Sequence, residues 1–265
     1  MGKGSSGKAR RGVAGIPSTP GISENERAAA GMERIRKERY NYAKKLFEDE
    51  LGFKDASAIA NLAREGGGMA LLGAQARKLK QLEDRYGAIH QSDTGMFGDM
   101  KSLTLGANGS SIAWVAHRKG DERAQRLELN SEYYGNSRKL FGAQRDGESA
   151  SWNAKTDGKV TSRATYSITH EYGHMLANVM TAKSNDRARA NFERPKTSAQ
   201  FTASAKRSIT SIATKKYGAK KGDIVSKYGS SSSSEFFAEA FASAHSGNPN
   251  AFGKAMQDWL KKQGF

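Results

Sequence analysis

The sequence predicts an α+β fold, mostly helical, with a small β-hairpin or sheet beside a helix that carries two histidines. Three observations lead there. Long stretches toward both ends place apolar residues at helical spacing. One stretch, Ser102–Asn130, alternates apolar and polar side chains instead. And His170-Glu171-Tyr172-Gly173-His174 spells H-E-x-x-H within one of the helical stretches.

The chain has 265 residues, enough for one domain with a real core, or one domain and an appendage. Its formal net charge is +16. A charge of that size favours acidic partners and says nothing about fold. There is no cysteine, which excludes a disulfide framework and a thiolate metal site. Any metal must be held by histidine and carboxylate. Met1–Pro20 lacks the apolar core of a signal peptide, and no apolar run is long enough to span a bilayer. The expectation is a protein with no membrane partner, cytoplasmic or virion-associated, deliverable into a host cell by a phage particle or an injection device.

Residues 1–23 read as a disordered basic tail, charged by Lys3, Lys8, Arg10 and Arg11. Residues 24–94 read as a helical N-terminal region. Ser23 is a candidate N-cap, with Glu26 completing a capping box. Ile35, Tyr42 and Leu46 recur at helical spacing, and Gly52 ends the helix. Helices also fit Asp55–Arg64 and Met69–Tyr86, separated by Gly66-Gly67-Gly68. Within Ser102–Asn130, Ile112, Trp114 and Val115 suggest a strand, Lys119-Gly120-Asp121 a turn, and Leu127 and Leu129 a second strand. Gly142–Lys159 reads as a polar loop. Helices follow at Ser162–Lys183, Thr197–Tyr217, Ser234–Ala244 and Asn250–Lys262, and the serine run Ser231–Ser234 supplies an N-cap.

On a helix, residues four apart lie one turn above each other, about 6 Å apart. His170 and His174 can therefore converge on one zinc ion, with Glu171 at the rim as general base for a water. Ile168, Tyr172, Met175, Leu176 and Val179 form an apolar stripe opposite the histidines, so one face suits a core and the other a cleft. Gly173 lets a backbone or a substrate approach closely. A catalytic zinc site needs a third protein ligand. The segment Ser234–Ala242 offers Glu235 and Glu239 on one face, with Ala238 and Ala242 beside them and Phe236, Phe237, Ala240, Phe241 and Ala244 on the other. One glutamate can reach the zinc, and the other can accept a hydrogen bond from a ligating imidazole. Closed structural zinc sites favour four protein ligands, usually with cysteine, so a structural site is the weaker reading. His245 reads as a cation at a helix C-terminus, and His90 as a surface or satisfied polar residue.

"HEYGH", followed some sixty residues later by "SKYGSSSSSEFFAEAF" and "HSG", resembles the peptidase domain of anthrax lethal factor and related bacterial and phage zinc peptidases. The resemblance covers residues 95–265 and is specific at Thr169–Ala177 and Lys227–His245. It implies a zincin-like metallopeptidase domain over 95–265. It also implies Zn²⁺ held by His170, His174 and Glu235, with Glu239 supporting an imidazole and Tyr228 as a catalytic residue that donates to the tetrahedral oxyanion. The implied function is a zinc-dependent endopeptidase, a phage- or bacterium-encoded effector acting on a protein or peptide substrate. In such enzymes the substrate lies extended along an edge strand, for which Ile112–His117 and Gln125–Asn130 are the candidates. The alternative function is a virion structural or nucleic-acid-binding protein with a vestigial zincin fold. In either case the basic N-terminal region is a candidate contact for nucleic acid or virion components. The first 90 or so residues carry no resemblance.

Overall fold

A computed structural model describes residues 23–53, 55–64, 69–91, 96–97, 112–118, 121–134 and 136–265. The basic tail, the glycine run Gly66–Gly68, Ser102–Ser111 and the turn residues Lys119-Gly120 lie outside the described residues. What is described is α+β and mostly helical, with one small sheet.

Helix α1 (Glu24–Lys45) starts at Ser23, whose side chain and that of Glu26 form the expected capping box. The chain then widens into a π-helical turn over Leu46–Glu50. Ile35 and Tyr42 are exposed, and the anchors of this segment are instead Ala43 and Phe47. Helices α2 (Ser57–Arg64) and α3 (Met69–Tyr86) follow. Strand β2 (Ala113–Arg118) pairs antiparallel with β3 (Asp121–Leu129), and the two-residue β1 (Met96–Phe97) pairs parallel with the other side of β3, giving the order β1-β3-β2. β3 is thus flanked by β2 on one side and, at Arg126 and Leu127, by β1 on the other, so among the described residues β2 is the longer strand with one side unpaired.

The segment read as a polar loop from Gly142 is helical in its first half. A short α4 (Ser131–Tyr134) leads to α5 (Ser137–Ser149), capped by Asn136. Leu140, Gln144 and Glu148 are spaced by four and buried together. Gly142 and Gly147 dilute that pattern in the sequence. Helix α6 (Val160–Ala190) is longer than expected at its C-terminal end. Then come α7 (Ser198–Tyr217), α8 (Ser233–Ala244) and α9 (Ala251–Lys262).

One core runs from Ala43 to Leu260, so the N-terminal helices and the later ones share it. α6 is its axis, buried almost all round from Ala164 to Ala182. On one side α3 contributes Tyr86, and the Tyr172 hydroxyl donates to Glu83 at 2.7 Å while accepting the Ala88 N–H. On another side Phe241 of α8 lies among Tyr86, Tyr172 and His245, with ring centroids 4.7–6.0 Å away. Emptying that position would cost about 3–5 kcal/mol. α9 backs α8 through Phe236–Phe252 and Phe237–Trp259 edge contacts. No helix among the described residues is long and apolar enough to cross a membrane.

Candidate metal centre

The centre forms where α6 and α8 touch. Gly173 makes the approach possible: a Cβ there would meet the Ala238 Cα at 3.0 Å and the Phe241 Cβ at 3.2 Å. The neighbour this glycine admits is therefore the α8 backbone. Ala238 and Ala242, both buried, keep the facing side of α8 shallow. Ser232 starts α8 by accepting the Glu235 N–H at 3.0 Å, which sets Glu235 in the first turn beside the histidines.

Three donor atoms then meet. His170 Nε2 lies 3.2 Å from His174 Nε2 and 3.1 Å from Glu235 Oε2, and His174 Nε2 lies 3.3 Å from the same oxygen. The triangle is nearly equilateral. Donors about 2.0–2.1 Å from a common ion at tetrahedral angles lie about 3.3 Å apart, so the three fit one face of a tetrahedron. This group can hold a metal ion.

The remaining ring nitrogens are held from behind. His170 Nδ1 is 2.8 Å from Glu239 Oε1, and His174 Nδ1 is 3.1 Å from Ser234 Oγ. Glu239 is buried and fully engaged: its other oxygen accepts the Tyr166 hydroxyl at 2.7 Å and the Ala154 N–H at 2.9 Å. A carboxylate accepting from His170 Nδ1 fixes that ring with Nε2 turned to the donor triangle. Glu235 and Glu239 thus divide the two tasks that the sequence placed on this pair.

Electrostatics follow from crowding. Burial opposes charge on His170, but hydrogen bonds to Glu235 and Glu239 and the charges of Glu239 and Glu171 outweigh it, and its pKa is pushed up to about 10. Burial also works against Glu235, yet the two imidazoles hold its carboxyl well below the usual range. Burial opposes charge on Glu239 as well, but His170 and the hydroxyls of Ser226 and Tyr166 lower its pKa. Glu171 goes the other way: burial raises it, offset in part by the two histidines and by the Val115 N–H of β2, which donates to it.

Tyr228 sits in a 3₁₀ turn, Tyr228–Ser230, at the mouth of the site. Its ring stacks on His170 with centroids 5.6 Å apart and on Trp152 at 5.8 Å. Two backbone bonds hold this arrangement, Lys227 N–H to Ser151 O at 2.9 Å and Tyr228 N–H to Trp152 O at 3.0 Å. Gly229 packs under the turn, where a Cβ would overlap the Val225 side chain and meet Glu239 at 3.0 Å. Burial and the charges of Glu235, Glu171 and Glu239 push the Tyr228 phenol upward, so it keeps its proton. Beside the histidines opens a cavity of about 460 Å³, lined by Ala113, Tyr133, Gln144, Trp152, Asn153 and Tyr228 among others.

All six residues singled out in the sequence, His170, Glu171, His174, Tyr228, Glu235 and Glu239, meet in this region. Sequence reasoning missed Tyr166, Ser234 and Trp152. Tyr166 had a signal: it precedes His170 by four residues and shares its helix face. Ser234 was visible only as part of a capping run, and nothing local marks Trp152. His245 differs from expectation. It is largely buried, bonded to the Tyr86 hydroxyl at 3.0 Å, and burial with the charges of Lys78 and Arg85 lowers its pKa to about 3. It ends α8 as a largely buried neutral imidazole, not as a cation. His90 pairs with Glu83 at 2.7 Å on the surface. Compared with known protein families, curated proteins and solved structures, the chain matches none.

Proposed function

We propose that the chain is a zinc-dependent endopeptidase with a zincin-like fold, holding Zn²⁺ through His170, His174 and Glu235. The observation that carries this reading is the near-equilateral donor triangle with Glu171 at its rim. Two imidazoles and one carboxylate, with no thiol in the chain, are the ligand set of catalytic rather than structural zinc. When bound, the ion would supply Lewis acidity, polarising the scissile carbonyl and lowering the pKa of water.

The chain's own groups supply the rest. Glu171, its proton affinity raised by burial, accepts a proton from the attacking water and delivers it to the leaving amine. The Val115 N–H keeps that carboxylate oriented toward the histidines. Tyr228, protonated at neutral pH, donates to the oxyanion from the mouth of the site. Substrate binds along β2. Asn130 N–H donates to Ile112 O, so residues 112, 114 and 116 bond to β3, while among the described residues Ala113 turns its N–H and carbonyl, and Val115 its carbonyl, to the outer edge, the Val115 N–H being taken by Glu171. An extended peptide can add there as a further strand, with a side chain entering the 460 Å³ cavity.

The test compares newly formed peptide N-termini in cell lysate treated with wild type and with Glu171→Gln, with zinc measured on both. Both should bind about one zinc per chain, and only wild type should create new termini. Wild type that is zinc-loaded yet creates none would overturn the reading.

A further inference from the structure

At the far end of α6 the chain turns a corner into α7, and this corner carries an unusual combination of groups. A cavity of about 350 Å³ is lined by Arg194, Lys196 and Arg207 together with Gln200 and Ser204, and no carboxylate lines it. Among the described residues, none of these three cations forms a salt bridge. Three like charges around one hollow repel one another, and an anion between them relieves the repulsion. The N-terminus of α7, capped by Thr197, opens at the same place and adds its partial positive charge.

Two residues before Arg194 in the chain stands Phe192. It is 100% exposed and has φ 56°, a left-handed conformation that is strained for a bulky residue. Its backbone is fixed there: Phe192 N–H bonds to Arg189 O at 3.1 Å and Glu193 N–H to Ala188 O at 2.7 Å. The cationic side of the corner is fixed as well. Buried Asn185 accepts the Lys196 N–H at 2.7 Å and donates to the Lys196 carbonyl at 2.8 Å, clamping the loop onto α6. The result is a rigid turn that holds an aromatic ring open to solvent two residues from the first of three unpaired cations.

We propose that this corner binds single-stranded nucleic acid, with a base stacked on Phe192 and neighbouring phosphates held by Arg194, Lys196 and Arg207. Cations that follow the backbone and an aromatic face for the bases are the two parts such binding needs. A net charge of +16 favours a polyanion. A phosphorylated peptide would use the cations and leave the ring without a role. A membrane surface would need an apolar face of several side chains, and Phe192 belongs to no apolar cluster among the described residues. The site lies about 24 Å along α6 from His174, taking 1.5 Å per residue, and does not depend on the peptidase reading.

The test measures anisotropy of a fluorescein-labelled 12-nucleotide oligodeoxythymidine against the full chain between 50 and 200 mM salt. Phe192→Gly should weaken binding about tenfold, the effect of one lost base stack. The same change relieves the left-handed strain, so melting temperature should hold or rise, and the loss cannot be assigned to unfolding. Arg194→Gln with Arg207→Gln should flatten the salt dependence by about 1.4 in log–log slope, or about 0.7 per phosphate contact. The basic tail contributes equally to every variant. A 12-base-pair duplex, whose bases are already stacked, should be insensitive to Phe192→Gly. The proposal is overturned if both variants bind the oligonucleotide as wild type does. It is also overturned if phosphatidylserine vesicles or a phosphopeptide bind while the oligonucleotide does not.

Discussion

Glu239→Gln changes one atom type behind the metal centre and should weaken metal binding strongly. The carboxylate takes His170 Nδ1–H on one oxygen, and the Tyr166 hydroxyl and Ala154 N–H on the other. Glutamine has a single acceptor oxygen. If that oxygen faces Tyr166 and Ala154, the amide NH₂ meets His170 Nδ1, which must then accept. The ring proton moves to Nε2, the atom that faces the donor triangle, and a protonated Nε2 cannot ligate. If the amide turns over, the Ala154 N–H loses its carboxylate acceptor and meets an NH₂ instead, at about 1–3 kcal/mol. Loss of such a supporting carboxylate lowers metal affinity about 10–100-fold, or about 1.4–2.8 kcal/mol. Competition against a chelating fluorophore measures it, with circular dichroism to show the fold is retained. Tyr166→Phe leaves the His170 bond in place and should cost less than about tenfold, by the same scale. A Glu239→Gln protein that folds natively and binds zinc within about twofold of wild type would show that this carboxylate does not set the His170 tautomer.

Three further outcomes follow from the same geometry. Tyr228→Phe should keep zinc content and KM while lowering kcat about 10²–10³-fold, the usual cost of one oxyanion donor; steady-state kinetics on a cleaved peptide would show no change if the phenol is only a packing group. Ala113→Pro removes an outward main-chain donor at the edge of β2, where proline is tolerated, and should raise KM with little change in thermal stability. An unchanged KM rules out strand addition there. In the metal-free chain His170 holds a proton up to about pH 10, whereas a ligating imidazole must be neutral. Metal and proton therefore compete: at pH 7–8 each ion bound should release about one proton, and affinity should rise with pH and level off near the pKa. Calorimetry in two buffers of different ionisation enthalpy detects the release, and identical heats in both would contradict it.

What was legible in the sequence is what depends on local spacing. H-E-x-x-H at i, i+4 and the Glu235/Glu239 pair at i, i+4 each define a helix face, so the residues of the centre could be named before any coordinates. The hairpin was legible because Leu127 and Leu129 alternate with polar neighbours, and the helix starts at Ser23 and in the run Ser231–Ser234 because capping chemistry is local. The rest depends on partners distant in the chain. Ser234 serves His174, sixty residues away, and Trp152 stacks on Tyr228 through a backbone pairing that no local pattern encodes. Helix α5 was hidden by its two glycines and by burial of polar Gln144 and Glu148 instead of apolar residues. His245 reads as a helix-terminal cation because the sequence does not reveal that Tyr86 and Phe241 close over it.

The X-ray absorption spectrum of the chain loaded with one equivalent of zinc shows whether α6 and α8 bring His170, His174 and Glu235 to a single ion. The expected spectrum shows two imidazoles and oxygen donors at about 2.0–2.1 Å, and Glu235→Ala, in which water can take the carboxylate's place, should lower the affinity. A spectrum with one imidazole or none, or a Glu235→Ala chain that binds zinc as tightly as wild type, would contradict it.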